Sequence, residues 1–305
     1  MSRFTLSSRW KLGAAAPLLL VSMGLAPEDR ATPAVVVPCE LDRNVLLVSV
    51  KIAGRGPYLM MLDTGTYPSA IDLATARSLG LPLGEGGAMD GGGTEDAKAY
   101  ETSLPSVELG SLTATRVEAL ASPAFGVIAK ALGRPVVGAL GHSFLEHRVL
   151  QIDYPRRTLR FLSEPLSRLE SRPGRRAVVP FRDEDDVIVD DAWINGRKVR
   201  ANFDTGSNGT AKVTPETVRR LGLEADPNAK SGTATGFRGT YATREGRIRS
   251  LRIGSITAAD LPATFWSPGT GHDGKAWDVN VGNEFFKDYV VTFDYRSKTV
   301  VIEKP

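Results

Sequence analysis

The apolar positions of the chain fall into short runs separated by turn residues, which is typical of β-strands. Val45–Ile52 and residues 58–62 form one pair of such runs near the start of the chain. Val187–Ile194 and residues 199–203 form a second pair, separated by Asn195-Gly196, a dipeptide that favours a hairpin turn. The pattern therefore predicts two similar β-hairpins far apart in the sequence.

Helical patterns are short and few. Residues 74–79 and Pro215–Leu221 are the best candidates, and each is followed by Gly within a Leu-Gly-Leu sequence. Thr214 suits the N-cap of the second helix, and Pro215 suits its first turn. The sequence predicts an all-β protein with minor helix.

These elements belong to an internal repeat. Residues 48–65 and 189–206 align without a gap at an offset of 141 positions. Each copy continues with Leu-Gly-Leu, a Gly-rich stretch, an apolar-Gly step and Asp-Tyr, in the same order. We assign the apolar-Gly steps to Gly138 and Gly282. A period this long that occurs twice excludes a solenoid and indicates a duplicated domain.

The first 26 residues resemble an export signal. Three basic residues precede an apolar run of 14 residues at positions 12–25, which is too short to span a bilayer comfortably. Small residues up to Ala26 suit cleavage there, with cleavage nearer Ala31 and a buried N-terminal helix as the alternatives. We therefore expect a signal peptide at 1–26 and a protein exported to the periplasm or secreted.

The remaining boundaries follow from the repeat and from composition. We predict an N-terminal lobe at 27–163, a polar linker rich in Arg and Pro at 164–176, and a C-terminal lobe at 177–305. The length of 305 residues suits two lobes, and 42% hydrophobic with 24% charged residues is ordinary for a globular protein.

Charge and cysteine content narrow the class of function. The formal charge of +3 comes from 38 basic and 35 acidic residues, and the signal segment holds three of the basic ones. The mature chain is therefore neutral, which argues against general nucleic-acid binding. Cys39 is the sole cysteine, so no intramolecular disulfide can form, and we expect it to be a small buried hydrophobe.

Each copy places Asp-Thr-Gly directly after an apolar strand, as Asp63-Thr64-Gly65 and Asp204-Thr205-Gly206. A pseudo-twofold axis between the copies would bring the two strand ends face to face. Two carboxyls that close share one proton, so one can act as general base on a water while the other donates to a carbonyl oxygen. The alternative is that each Asp only caps a strand-end turn.

On these motifs the chain resembles the pepsin-like and retroviral-type aspartic peptidases, in particular a bacterial two-lobed group with retropepsin-like halves. The resemblance covers residues 40–163 and 177–305 and includes the family's apolar-apolar-Gly signature, at Gly138 and Gly282. Asn280 departs from that signature because it replaces an apolar residue. The resemblance implies duplicated β-barrel lobes with short helices and a central cleft.

The resemblance also implies roles for the residues around Asp63 and Asp204. Thr64 and Thr205 would hydrogen bond across the lobes, and Thr66 and Ser207 would hydrogen bond the outer carboxylate oxygens. Gly65, Gly206, Gly138 and Gly282 would support the catalytic loops. The substrate-binding flaps would contain Gly91, Gly92, Gly93, Gly236, Phe237 and Gly239.

Other motifs carry less weight. Residues 269–274 fit G-x-G-x-x-G, but no strand precedes and no helix follows them, which argues against a dinucleotide site. His142 and His147 do not have the spacing of a zinc-binding H-E-x-x-H motif.

The predicted function is therefore that of a monomeric aspartic endopeptidase that acts on peptides or proteins without metal or organic cofactor. The alternative is an exported peptide-binding or interaction protein whose cleft is catalytically silent. Because hydroxyl donors lower carboxyl pKa values, Thr66 and Ser207 predict an acidic optimum below about pH 6, an effect that burial of the cleft would offset.

Overall fold

The structure is a computed structural model that describes residues 33–166, 170–223 and 231–305. The predicted signal peptide lies outside the described residues, so it stays a prediction. Strands dominate in both halves of the chain, as the runs of apolar residues predict.

The strands of the first half are β1 Pro33–Pro38, β2 Glu40–Asp42, β3 Val45–Ile52, β4 Arg55–Leu62, β5 Ala70–Asp72, β6 Gly86–Ala88, β7 Lys98–Leu109, β8 Leu112–Ser122, β9 Val136–Leu140, β10 Val149–Asp153 and β11 Thr158–Leu162. Its helices are α1 Leu73–Leu79, α2 Ala124–Leu132 and α3 His142–Leu145.

The strands of the second half are β12 Arg176–Pro180, β13 Arg182–Asp183, β14 Val187–Ile194, β15 Arg197–Phe203, β16 Ala211–Val213, β17 Ser231–Gly236, β18 Gly239–Ile253, β19 Ile256–Trp266, β20 Val279–Val281, β21 Val290–Asp294 and β22 Thr299–Glu303. Its helices are α4 Pro215–Leu221 and α5 Asn283–Phe286.

The local predictions for strands and helices are confirmed. The strands β3 and β14 have the predicted bounds, and α4 begins and ends where the sequence places it. The Thr214 hydroxyl accepts a hydrogen bond from the Thr217 amide at 3.4 Å and so caps α4. Gly222 ends the helix with φ 64°, a left-handed conformation that favours glycine.

Two eight-stranded sheets show the duplication. The first has the strand order β2-β3-β4-β9-β5-β8-β7-β6, and the second has the order β13-β14-β15-β20-β16-β19-β18-β17. Every strand of the first sheet has a counterpart in the same place in the second. The predicted fold class, a duplicated all-β protein, is confirmed.

A third, six-stranded sheet joins the two halves within one compact unit. Its order is β1-β11-β10-β21-β22-β12, so three strands come from each half. At its centre Gln151 lies opposite Thr292, and the Gln151 amide donates to the Thr292 hydroxyl at 3.1 Å. These two residues are 141 positions apart. The pairing of equivalent residues places a pseudo-twofold axis at this point of the sheet.

The main hydrophobic core is continuous through both halves and includes Leu62 and Phe203, the residues before the two Asp-Thr-Gly motifs. Cys39 belongs to this core, and burial raises the pKa of its thiol to about 12. The predicted role of Cys39 as a small buried hydrophobe is confirmed.

The two halves differ on the outer layer of their sheets. In the first half, Phe125 of α2 covers an apolar face that includes Met61 and Ala139. At the equivalent positions of the second half stand Asn202 and Asn280, which lie opposite each other on β15 and β20. The helix α2, which the sequence patterns did not predict, thus covers an apolar surface whose counterpart contains two asparagines.

No helix within 33–166, 170–223 or 231–305 is long and apolar enough to cross a membrane.

Candidate active site

Asp63 and Asp204 each follow the end of a strand that pairs in parallel with a second strand. Asp63 follows β4, and its backbone amide donates to the carbonyl of Leu140 at 3.0 Å. Asp204 follows β15, and its amide donates to the carbonyl of Val281 at 3.0 Å. The same backbone geometry therefore positions both carboxyls.

The two Asp-Thr-Gly loops are tied to each other through their threonines, both buried. The Thr64 hydroxyl donates to the Phe203 carbonyl at 2.7 Å, and the Thr205 hydroxyl donates to the Leu62 carbonyl at 2.7 Å. Each hydroxyl also accepts from the other threonine's backbone amide at 3.0 Å. These four reciprocal bonds across the halves are the ones that the resemblance implied.

The glycines of the motif let the two carboxyls come together. A Cβ on Gly65 would lie 2.8 Å from the carboxyl carbon of Asp204, and a Cβ on Gly206 would overlap the carboxylate of Asp63. Each glycine amide also donates to the first carboxyl oxygen, Oδ1, of its own motif's aspartate, at 2.9 Å for Gly65 and 2.8 Å for Gly206. Any larger residue at either position would push the carboxyls apart.

The second carboxyl oxygens have different partners in the two halves. The Thr66 hydroxyl donates to Asp63 Oδ2 at 2.7 Å, as expected. The expected bond from Ser207 is wrong, because the Ser207 hydroxyl has no hydrogen-bond partner among the described residues. Instead the side-chain amide of Asn280 donates to Asp204 Oδ2 at 2.6 Å. Asn280, which departs from the family signature, is the residue that contacts Asp204.

The assignment of Gly138 is also corrected. The amide after Gly282 donates to the Ser207 carbonyl, and the amide after Gly141 donates to the Thr66 carbonyl, both at 2.9 Å. Gly141 is therefore the counterpart of Gly282, whereas Gly138 lies inside β9, against the Ala70 carbonyl. Counting back 141 positions from Gly282 leads to Gly141, so the repeat offset is the signal that could have identified it.

Burial dominates the electrostatics of the pair. Asp63 is 4% exposed, and its carboxyl lies close enough to Asp204 to hydrogen bond with it. Desolvation and, after it, the negative charge of Asp204 raise the pKa of Asp63 to about 8, although the donors Thr66 and Gly65 lower it. The pair therefore retains one proton at neutral pH, and burial outweighs the hydroxyl effect behind the predicted acidic optimum.

A third carboxyl lies in the same region of the second half. Asp186 accepts hydrogen bonds from the Trp277 indole and the Asn202 amide, both at 2.9 Å. Burial raises the pKa of Asp186 to about 6, and the charge of Asp204 adds to the effect. Sequence reasoning did not single out Asp186, since nothing in its local pattern distinguishes it from a surface acid.

The residues predicted as flaps come together in one contact. The Arg238 amide donates to the Gly92 carbonyl at 2.9 Å, and a Cβ on Gly236 would overlap that same carbonyl. A Cβ on Gly91 would lie 3.2 Å from Phe237, whose ring packs 5.1 Å from that of Phe125. Gly93 forms a bridge with Arg238, and Gly239 follows it at the start of β18. The Gly-rich segments of the two halves thus touch, while their action as flaps stays a prediction.

Two adjacent carboxyls that share a proton, one buried and one partly buried, are held by matching loops from two repeats. This is the arrangement needed to activate a water and to protonate a carbonyl at once. The family model for aspartyl proteases matches the chain twice, over residues 48–144 and 191–282. The chain belongs to the aspartyl protease family. The matched segments contain both Asp-Thr-Gly loops and end just after Gly141 and at Gly282, the two glycines that contact those loops. No curated protein matches the chain.

Proposed function

We propose that this aspartyl protease family member is an aspartic-type endopeptidase, with Asp63 and Asp204 as its catalytic residues. The observation that carries the proposal is the pair of adjacent carboxyls, whose loops are tied together by reciprocal Thr64–Thr205 hydrogen bonds. Membership of the family supports protease activity at the general level.

The chemistry requires one ionised and one protonated carboxyl. The ionised carboxyl takes a proton from a water, and the water oxygen bonds to the carbonyl carbon of the substrate peptide. The protonated carboxyl gives its proton to the carbonyl oxygen, which yields a tetrahedral gem-diol. The carboxyl that took the water's proton then gives it to the peptide nitrogen, while the other, now ionised, carboxyl takes a proton from one gem-diol hydroxyl. The C–N bond breaks, a carboxylic acid and an amine are released, and the pair again holds one proton.

The rigidity of the loops contributes to this step. The hydroxyls of Thr64 and Thr205 donate to backbone carbonyls of the opposite half, so the two carboxyls keep their separation during turnover. Fixed donors and acceptors need no reorganisation when charge moves from the water to the carbonyl oxygen.

The oligomeric state and the location of the protein are proposed from the two aspartates on one chain and from the N-terminal segment. Because one chain supplies both aspartates, we propose a monomer that acts on peptide or protein substrates without a metal or organic cofactor. The signal-like segment at 1–26 supports export to the periplasm or outside the cell.

The test is peptide cleavage by purified protein, with Asp63→Asn and Asp204→Asn as the variants. Each variant should lose activity by a factor of at least about 10³, because each removes half of a pair that acts as a unit. A statine-type inhibitor should block the wild type, whereas chelators and serine reagents should not. A single Asn variant with near wild-type turnover would refute the proposal, and inhibitor binding without any cleavage would favour the silent binding protein.

A further inference from the structure

The hydrogen-bond partners of the two catalytic carboxyls are not symmetric. Both oxygens of Asp204 face N–H groups, from Gly206 at 2.8 Å and from the Asn280 side chain at 2.6 Å. Asp63 faces one N–H group, from Gly65, and one hydroxyl, from Thr66. The asymmetry is at the Oδ2 atoms, where Asp204 has the Asn280 amide as its partner and Asp63 has the Thr66 hydroxyl.

An amide and a hydroxyl treat a proton differently. The N–H of an amide only donates, so it stabilises a carboxyl oxygen that accepts, which is the ionised form. A hydroxyl can rotate and accept, so Thr66 can receive a hydrogen bond from a protonated Asp63 Oδ2. The donors at Asp204 therefore favour the carboxylate, and the partners at Asp63 tolerate the acid.

The position of Asn280 in the fold explains why only one half has this amide. Asn280 is 5% exposed on β20, between Asn202 of β15 and Lys212 of β16. Ala139 occupies the equivalent place in the first half, within the apolar layer under α2. The Ser207 hydroxyl, at the place of Thr66, is left without a partner among the described residues.

We propose that Asn280 is a positioning residue that holds Asp204 as the ionised member of the pair, so that Asp63 carries the shared proton. The inference rests on the proposed function and assigns the roles within it. Asp204 is then the general base that activates the water, and Asp63 is the acid that protonates the carbonyl oxygen.

The charged groups around Asp204 are consistent with this assignment. Lys212 on β16 favours an ionised Asp204, while Asp186 before β14 opposes it. Burial keeps Tyr154 and Tyr241 neutral, since it raises the pKa of both phenols and the charge of Asp204 raises them further. Burial also raises the pKa of Asp63, so that the pair keeps a shared proton.

The test is the pH profile of kcat/KM on one peptide for the wild type and Asn280→Leu, the apolar residue type that the family signature has there. Loss of a hydrogen bond to a charged group should move the acid limb of the profile upward by about one pH unit. The isosteric Asn280→Asp, which removes the donor and adds a carboxyl next to Asp204, should move it further in the same direction. It also provides the test if Asn280→Leu does not fold.

Two matched controls separate this effect from general damage. Ser207→Ala should leave the acid limb in place, because that hydroxyl contacts neither carboxyl. Asn202→Leu removes the neighbouring buried amide, which bonds Asp186 instead. Loss of that bond favours a neutral Asp186, so the limb should not move upward. A purely structural role for Asn280 would lower kcat at every pH without moving the limb.

In the opposite orientation the Asn280 side-chain oxygen would accept a hydrogen bond from a protonated Asp204, and Asn280→Leu would then move the alkaline limb downward. A downward shift of the alkaline limb would overturn the inference. So would an unmoved acid limb in a folded Asn280 variant, or an equal upward shift of the acid limb in Asn202→Leu. If Asp63→Asn and Asp204→Asn abolish cleavage while the Asn280 variants leave the limb in place, the inference fails and the proposed function stands.

Carboxyl ¹³C NMR titration of the aspartates gives a readout that does not depend on turnover. The lower of the two pKa values of the pair should rise in Asn280→Leu, and an unchanged value would contradict the inference.

Discussion

Replacing Asp63 by Asn removes a carboxyl whose pKa rises from 3.8 to about 8 on folding, chiefly through burial and then through the charge of Asp204. Because the folded state binds this proton more tightly than the unfolded state, the contribution of Asp63 to stability is complete below about pH 4. It is lost as the pH rises towards 8. Asparagine does not titrate, so Asp63→Asn does not suffer this loss.

The magnitude follows from linkage. Between the two pKa values, one proton difference changes the free energy of unfolding by about 1.4 kcal/mol per pH unit. From pH 5 to pH 7 the wild type should therefore lose about 3 kcal/mol relative to Asp63→Asn. In the variant the Thr66 hydroxyl can accept a hydrogen bond from the new side-chain amide, so this contact does not change the slope of the difference with pH.

The assay is urea denaturation at pH 5, 6 and 7, followed by tryptophan fluorescence, since Trp266 and Trp277 are buried. Asp288→Asn, a change at an exposed aspartate of the second half, is the matched control and should track the wild type. A difference between Asp63→Asn and the wild type that stays constant from pH 5 to 7 would show that Asp63 does not hold a proton in the folded protein.

Three further outcomes are expected. The alkaline limb of the wild-type kcat/KM profile should lie near pH 8, because the pair stays monoprotonated up to the raised pKa of Asp63, and a limb below pH 6 would contradict this. Thr64→Val should lower the free energy of unfolding by about 2–4 kcal/mol in chemical denaturation, because it leaves a buried amide and a buried carbonyl without partners, whereas the exposed Thr115→Val should have little effect. Gly206→Ala should abolish cleavage because the new Cβ overlaps the Asp63 carboxylate, whereas Gly126→Ala, on an open face of α2, should be active and slightly more stable; equal activity in the two glycine variants would refute the steric argument.

Much of the fold follows from local patterns that the repeat reinforces. The runs that form β3 and β14 alternate with turn residues, and the cap and the terminal glycine of α4 are ordinary local signals. Gln151 and Thr292, which pair at the pseudo-twofold axis, are separated by the same 141 positions as the two copies of the repeat.

The parts that sequence reasoning missed depend on contacts between distant residues. The helix α2 is formed by a short segment whose Phe125 packs on an apolar sheet face. Its counterpart at 267–278 is Gly-rich and forms no helix, and its Trp277 packs with Ile188, Tyr241 and Trp266. The partner of Asp204 was misassigned to Ser207 because chain spacing gives no side-chain direction. Only the pairing of β15 with β20 shows that Asn280 reaches the carboxyl.

The central pairing of β10 with β21 has a consequence for how this site can evolve. Val149 faces Asp294 and Asp153 faces Val290, so each strand edge presents the pattern that a second copy of itself would need. In a dimer of two identical subunits joined through this strand pair, any substitution would occur on both sides of the axis. The residues of the two halves could therefore not change independently. Fusing the copies into one polypeptide removes that constraint. Equivalent positions can then hold different residues, Asn280 in one half and Ala139 in the other. The base and the acid of the pair can therefore be changed by separate mutations.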